Sequence, residues 1–217
     1  MKYIWIILVC TFMFSSCTKH EVPIDTSFQV GNILLSNGSV IHPSMYNSEE
    51  DNAIGVVFWC NDGTVSNNDK GYAVAIRDIG EDLLIDTNEN IGNVSESETE
   101  FDGFSNTASL IIFAQKDSID CQAAKMAMNY DPGMKGWFIG SVAQQKEISK
   151  NKHKVYESFN LIKGSEPFSG WYWTSTENGS GKETPQIAAY TISLENGSIA
   201  SSSKKDKYKI RPIITIK

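Results

Sequence analysis

Aromatic and hydroxyl residues alternate through Ser169-Gly170-Trp171-Tyr172-Trp173-Thr174-Ser175-Thr176-Glu177. An extended chain would send Trp171 and Trp173 to one face and Tyr172 and Thr174 to the other. The pattern predicts a strand with both indoles in the core and Tyr172, Thr174, Thr176 and Glu177 partly exposed. Residues 186–194 are again β-prone, Glu195-Asn196-Gly197-Ser198 supplies a tight turn, and 199–203 begins the return. With the closing run Tyr208-Lys209-Ile210-Arg211-Pro212-Ile213, the carboxy-terminal part reads as an antiparallel meander.

Near the other end, 30–35 and 39–41 flank Ser36-Asn37-Gly38, and Asn-Gly is the strongest short hairpin signal. The apolar runs 53–60 and 71–78 predict two buried strands joined by the loop 61–70. Residues 81–102 are acidic and poor in large apolar groups, which predicts a long exposed loop. Helices are expected over 106–113 and 118–130, with Asn106 and Asp117 as caps. Ile119, Ala123, Met126 and Tyr130 recur at helical spacing, and Pro132-Gly133 stops the run. Ser141 caps a third helix running through Ser149 or beyond. Helices in the middle and strands at both ends make an α+β arrangement.

Several runs resemble, in wording and order, the bacterial domain family named after the C-terminal domain of the collagen-like adhesin Lcl. They are Gly136-Trp137-Phe138-Ile139-Gly140-Ser141 after an alanine-rich helix with a cysteine, Trp173-Thr174-Ser175-Thr176-Glu177, Asn196-Gly197-Ser198 with Ser201-Ser202-Ser203, and Ile210-Arg211-Pro212-Ile213. The resemblance covers roughly 104–217. It implies a C-type-lectin-like fold of twisted antiparallel sheets with central helices and long loops. It also implies recognition of glycans or extracellular polymers, by a non-catalytic protein. Tyr172, Thr174, Thr176, Glu177 and Asn178 are the expected ligand-binding residues, and the loops 61–70 and 174–185 the expected contact surface. Residues 28–103 form a β-rich amino-terminal part, expected to pack with 104–217 as one body.

Met1-Lys2-Tyr3, an apolar run over 4–14 and then Ser15-Ser16-Cys17 describe a secretory signal, too short for a permanent membrane anchor. Its end resembles a bacterial lipoprotein signal. That resemblance implies cleavage before Cys17, a diacylglycerol on its sulfur, and a location at the cell envelope, anchored to the outer membrane. Residues 18–27, with few large apolar groups and one proline, then read as a tether. The formal charge of -7 disfavours nucleic acid and anionic head groups as partners. Lys204-Lys205-Asp206-Lys207 reads as a solvated hairpin end.

Catalytic chemistry is sparse. No nucleophile elbow or phosphate loop is present, and Gly179-Ser180-Gly181 lacks the elbow spacing. The histidines His20, His42 and His153 lie far apart, so no metal site is expected. Turn formation accounts for Asn61-Asp62-Gly63 in preference to calcium. The cysteine pair of formylglycine-generating enzymes, a related fold group, is missing, because no cysteine follows Cys121. No cofactor is expected. A disulfide between Cys60 and Cys121 requires Cα atoms within about 7 Å, and buried free thiols fit as well and are preferred. Arg211 is expected to pair with a carboxylate such as Glu177. A second reading is a structural subunit of a surface or pilus-like assembly, with protein partners docking on an exposed strand edge. A third is an envelope hydrolase with two converging carboxylates.

Overall fold

The computed structural model describes residues 27–63, 69–179 and 187–217. The expected signal, Cys17 and nearly all of the expected tether lie outside them, as do parts of both expected contact loops.

The hairpin of β1 (Ile33–Leu35) and β2 (Val40–Ile41) forms around Asn37-Gly38. Gly38 has a φ of +86°, which a side chain would oppose, and the Asn37 side-chain oxygen accepts from Ser39 N–H. The two apolar runs become β3 (Ala53–Cys60) and β4 (Gly71–Ala75), and β5 (Glu81–Leu83) follows. Then come α1 (Gly103–Asp117), α2 (Gln122–Asn129), β6 (Trp137–Phe138), α3 (Val142–Lys150) and α4 (Lys152–Phe159). The closing strands are β7 (Tyr172–Glu177), β8 (Ala188–Ile192), β9 (Ile199–Ser203), β10 (Lys207–Lys209) and β11 (Ile213–Ile216).

Two sheets result. One has the order β2-β1-β3-β4-β11-β6 and is antiparallel throughout. The other has the order β5-β10-β7-β8-β9, with β10 and β7 its parallel neighbours. The last strand, β11, therefore lies between β4 and β6 in the first sheet.

Three apolar clusters fill the body. One face of the first sheet (Val56, Phe58, Val74, Ile213) meets Ile148, Val155 and Phe159 of α3 and α4, together with Tyr172 and Ile192 of the second sheet. Leu34, Ile54, Ala73, Trp137 and Ile214 make the cluster on its opposite face. The outer face of the second sheet packs Trp173 and Ala189 under Leu110, Ala114, Ala123 and Ala127 of α1 and α2. Alanines let those helices approach the sheet closely, and each fully buried large side chain contributes about 1.5–3 kcal/mol.

Ser141 caps α3 as expected, its hydroxyl accepting from Gln144 N–H while the Gln144 side chain accepts from Ser141 N–H. The first two helices differ from expectation. Asn106 is a buried residue inside α1, which begins at Gly103, and α1 runs on to Asp117 before Ser118, at φ +54°, ends it. The side chain of Asn106 is occupied elsewhere, accepting from Ser95 N–H and donating to Asp102. The acidic segment before α1 is irregular beyond β5 and exposed or half-buried over most of its length, as expected, but it is pinned to the body by buried side chains. Leu84, Ile85, Ile91 and Val94 are buried in the helix-covered cluster, while Leu83 and Phe101 are partly buried.

Burial of β7 also departs from the expected pattern. Trp171 is 38% exposed, whereas Tyr172 and Trp173 are fully buried. Trp171 precedes the strand, just after Gly170 at φ +76°, so strand alternation does not reach it. Trp137 and Trp173 are anchored by indole N–H bonds to the carbonyls of Met134 and Asp82, both at 2.8 Å. Replacing Trp173 by alanine should cost about 3–5 kcal/mol, read as a lower urea midpoint at unchanged slope. A loss below about 1 kcal/mol would contradict its place in the core.

Candidate functional site

The residues expected to meet a ligand turn inward. Tyr172, Thr174, Thr176 and Glu177 are fully buried and Asn178 nearly so, because β7 is the middle strand of its sheet and is covered on both faces. Their polar atoms serve the fold. The Tyr172 hydroxyl accepts from Ser169 N–H and donates to Asp78, Thr174 donates to the Tyr190 carbonyl, and Thr176 accepts from Val142 N–H. Asn178 N–H donates to the Ala188 carbonyl.

Glu177 forms a wholly buried ion pair with Lys204, from the run expected to be solvated. Ile91 N–H donates to both Glu177 carboxylate oxygens at 3.3 Å, and Lys204 Nζ also donates to the Glu89 carbonyl at 2.9 Å. The backbone continues the clasp, with Glu177 N–H on the Ser95 carbonyl and the N–H groups of Leu84 and Ile85 on the Lys204 carbonyl. The rest of the basic run is paired too, Lys205 with Asp86 at 3.1 Å and Lys207 with Asp82 at 3.2 Å. Lys205, Asp206 and Lys207 are exposed at the hairpin end as expected, whereas Lys204 turns inward and fastens residues 81–96 to the second sheet.

Arg211 is paired with Asp78, not Glu177, at 2.7 Å between Nε and the carboxylate. It also donates to the carbonyls of Ala75 and Glu166, at 3.1 and 3.0 Å, and its guanidinium lies 5.0 Å from the Phe168 ring centre. Planar donors and a flat cationic face suit arginine to this dry corner. Both thiols are free. Burial pushes Cys121 up to about 12, so it is an inert core group. Among the described residues no three His, Cys, Asp or Glu side chains converge as a metal site would require. The Asn61 side chain accepts from Gly63 N–H at 2.9 Å, an ordinary turn closure.

An open concavity lies elsewhere, at the end of the first sheet beside β11. It is a groove of about 460 Å³ whose walls include Tyr72, Phe101, Phe104, Phe138, Met134 and Thr215. Phe104 is half exposed and stands edge-on to Phe138 with ring centres 5.6 Å apart. Asp69, Asp102, Lys135 and Lys217 reach its rim. Burial raises the Asp102 carboxyl above the usual carboxylate range, against the pull of a hydrogen bond from Ser95. The groove draws on four separated stretches, residues 69–72, 101–105, 134–144 and 214–217. Only Gly136 and Phe138 come from a motif run singled out in the sequence, and that run gives no sign of the aromatic neighbours brought to it from elsewhere.

Over the described residues these features define an α+β protein with two sheets and four α-helices, a structural polar centre and an aromatic groove at a sheet edge. No protein-family model matches the chain, and no curated protein matches its sequence. A solved structure does: the crystal structure of a fimbrial protein from Bacteroides ovatus, with a TM-score of 0.59 at 17% identity over 86% of this chain and 48% of that one. The likeness is one of fold, and this chain spans about half the length of that protein.

The Glu177 clasp has a pH signature. Burial raises its carboxyl from 4.5 to about 7, against the opposing hydrogen bonds and charge of Lys204 and the Ile91 N–H. Burial likewise lowers Lys204. An unfolded glutamate loses its proton near 4.5, so the folded state binds the extra proton between there and about 7, and stability falls as pH rises across that window. Glu177→Gln should flatten this slope in urea midpoints taken across the same range. An unchanged slope would remove Glu177 as its source.

Proposed function

We propose that the chain is a non-catalytic, lipid-anchored protein of the cell envelope that serves as a subunit of a surface or fimbria-like assembly. The fold it shares with a fimbrial protein over 86% of its length carries this reading. The lipoprotein-like Ser15-Ser16-Cys17 supports an anchor on Cys17 and a place on the outer membrane. Kinship with the Lcl-like, C-type-lectin-like group remains part of the proposal, resting on the motif order from Gly136 to Ile213. Burial of Tyr172, Thr174, Thr176, Glu177 and Asn178 removes the surface first expected to hold a glycan. An adhesin role would use other surfaces, such as the aromatic groove or the loops 61–70 and 174–185.

Membranes from cells making the full chain should yield, in mild detergent, particles several times the 24.1 kDa of one chain. Cys17→Ala should move the protein into the soluble fraction. Monomers alone in the extract would overturn the assembly reading, and unchanged membrane retention of the Cys17 variant would overturn the anchor.

A further inference from the structure

The pair of Glu177 and Lys204 brings a nucleophile and an acyl carbon together away from water. Lys204 Nζ touches Glu177 Oε1, and both side chains are wholly buried. Each is also held from a second side, Lys204 Nζ by the Glu89 carbonyl at 2.9 Å and the carboxylate by Ile91 N–H at 3.3 Å from either oxygen. The backbone on both sides is tied down, with Glu177 N–H on the Ser95 carbonyl and Lys204 N–H on the Ile187 carbonyl. Fixing two groups in contact removes most of the entropic cost of joining them.

The hydrogen-bonding groups around the pair match an amide more closely than two ions. A secondary amide offers one N–H and one carbonyl. The site supplies one backbone acceptor for the first, the Glu89 carbonyl, and one backbone donor for the second, the Ile91 N–H. An ammonium carries three hydrogens, and among the described residues they meet two acceptors, Glu177 and Glu89. Joining also removes two charges from an interior in which each is costly. Burial raises the Glu177 carboxyl to about 7, with the Glu96 carboxylate adding to the rise, and burial lowers Lys204. A proton passing from the ammonium to the carboxylate then leaves the neutral amine and neutral acid that condensation requires.

We propose that Lys204 and Glu177 condense to a side-chain amide within the folded chain. The Nζ lone pair of Lys204 forms a bond to Glu177 Cδ, and the bond from Cδ to one carboxyl oxygen breaks. That oxygen departs as water with one hydrogen from the acid and one from the amine, so no oxidant or co-reactant takes part. Hydrolysis back to the ions needs a water that this buried site excludes. The bond ties the end of β7 to the turn after β9 and closes β8 and β9 into a covalent loop, which restrains the unfolded chain. The pH signature of the clasp belongs to the pair before it condenses. The amide neither requires the assembly reading nor is required by it.

The test digests the full, denatured chain with trypsin and a glutamyl endopeptidase and weighs the products. Condensation blocks cleavage at both Lys204 and Glu177, so residues 164–182 and 196–205 should emerge as one species, lighter by one water than the two peptides summed. Residues 183–195 are missing from that species, which separates it from any incomplete digestion. Lys204→Arg keeps the charge without the amine and should give only the separate peptides 164–177 and 196–204. Those separate peptides from the wild-type chain, with no joined species, would overturn the proposal and leave the pair ionic. A joined species that survives Lys204→Arg would overturn it too, because the bond would then lie elsewhere. The wild-type digest decides the matter even where the variant fails to fold.

Discussion

Strand β7 is covered on both faces, and most of the interior chemistry follows from that constraint. Tyr172 looks into the cluster between the sheets and α3 and α4, and Trp173 into the one under α1 and α2. A strand in that position has no solvent face, so its polar side chains are drawn to partners inside the protein, although the buried Ser175 hydroxyl has none among the described residues. Thr174, Thr176 and Glu177 find theirs in a carbonyl, a helix-terminal N–H and a lysine, contributed by β8, α3 and the turn after β9.

Two ionic contacts close this interior, and they differ in kind. The Glu177 and Lys204 charges are both wholly removed from water, which costs several kcal/mol per ion and is offset only because backbone groups of Ile91 and Glu89 complete the coordination. Arg211 is equally buried, but its partner Asp78 keeps some contact with water and also meets Lys209 and Tyr172. The first holds residues 81–96 to the second sheet. The second lies just before β11 enters the first sheet, bringing Arg211 to the Ala75 carbonyl at the end of β4. Together they link the long segment before α1 and the final strand to the same packed body.

The surface offers less than the interior. Both edge strands of the first sheet, β2 and β6, are only two residues long, a form that limits unwanted pairing. Shortness of β6 leaves the end of β11 uncovered, and the groove gathers Phe104, Met134 and Lys217 there.

Local features of the chain determined a good part of this structure. Asn37-Gly38 and Asn196-Gly197 set two turns, through the positive φ that glycine tolerates. Ser141 with Gln144 set the start of α3, and the runs 53–60 and 71–78 set two buried strands, the second ending at Ala75. Each of these depends on residues a few positions apart. Tertiary packing decided the rest: that Tyr172 to Asn178 face inward, that the sparse apolar residues of 84–94 fill a core, that Lys204 and not Arg211 meets Glu177, and that four distant segments enclose a groove. Alternation along a strand specifies two faces, but whether a second layer covers each face depends on helices encoded elsewhere. A charge likewise selects its partner by distance in the folded chain, a quantity that spacing along the sequence does not contain.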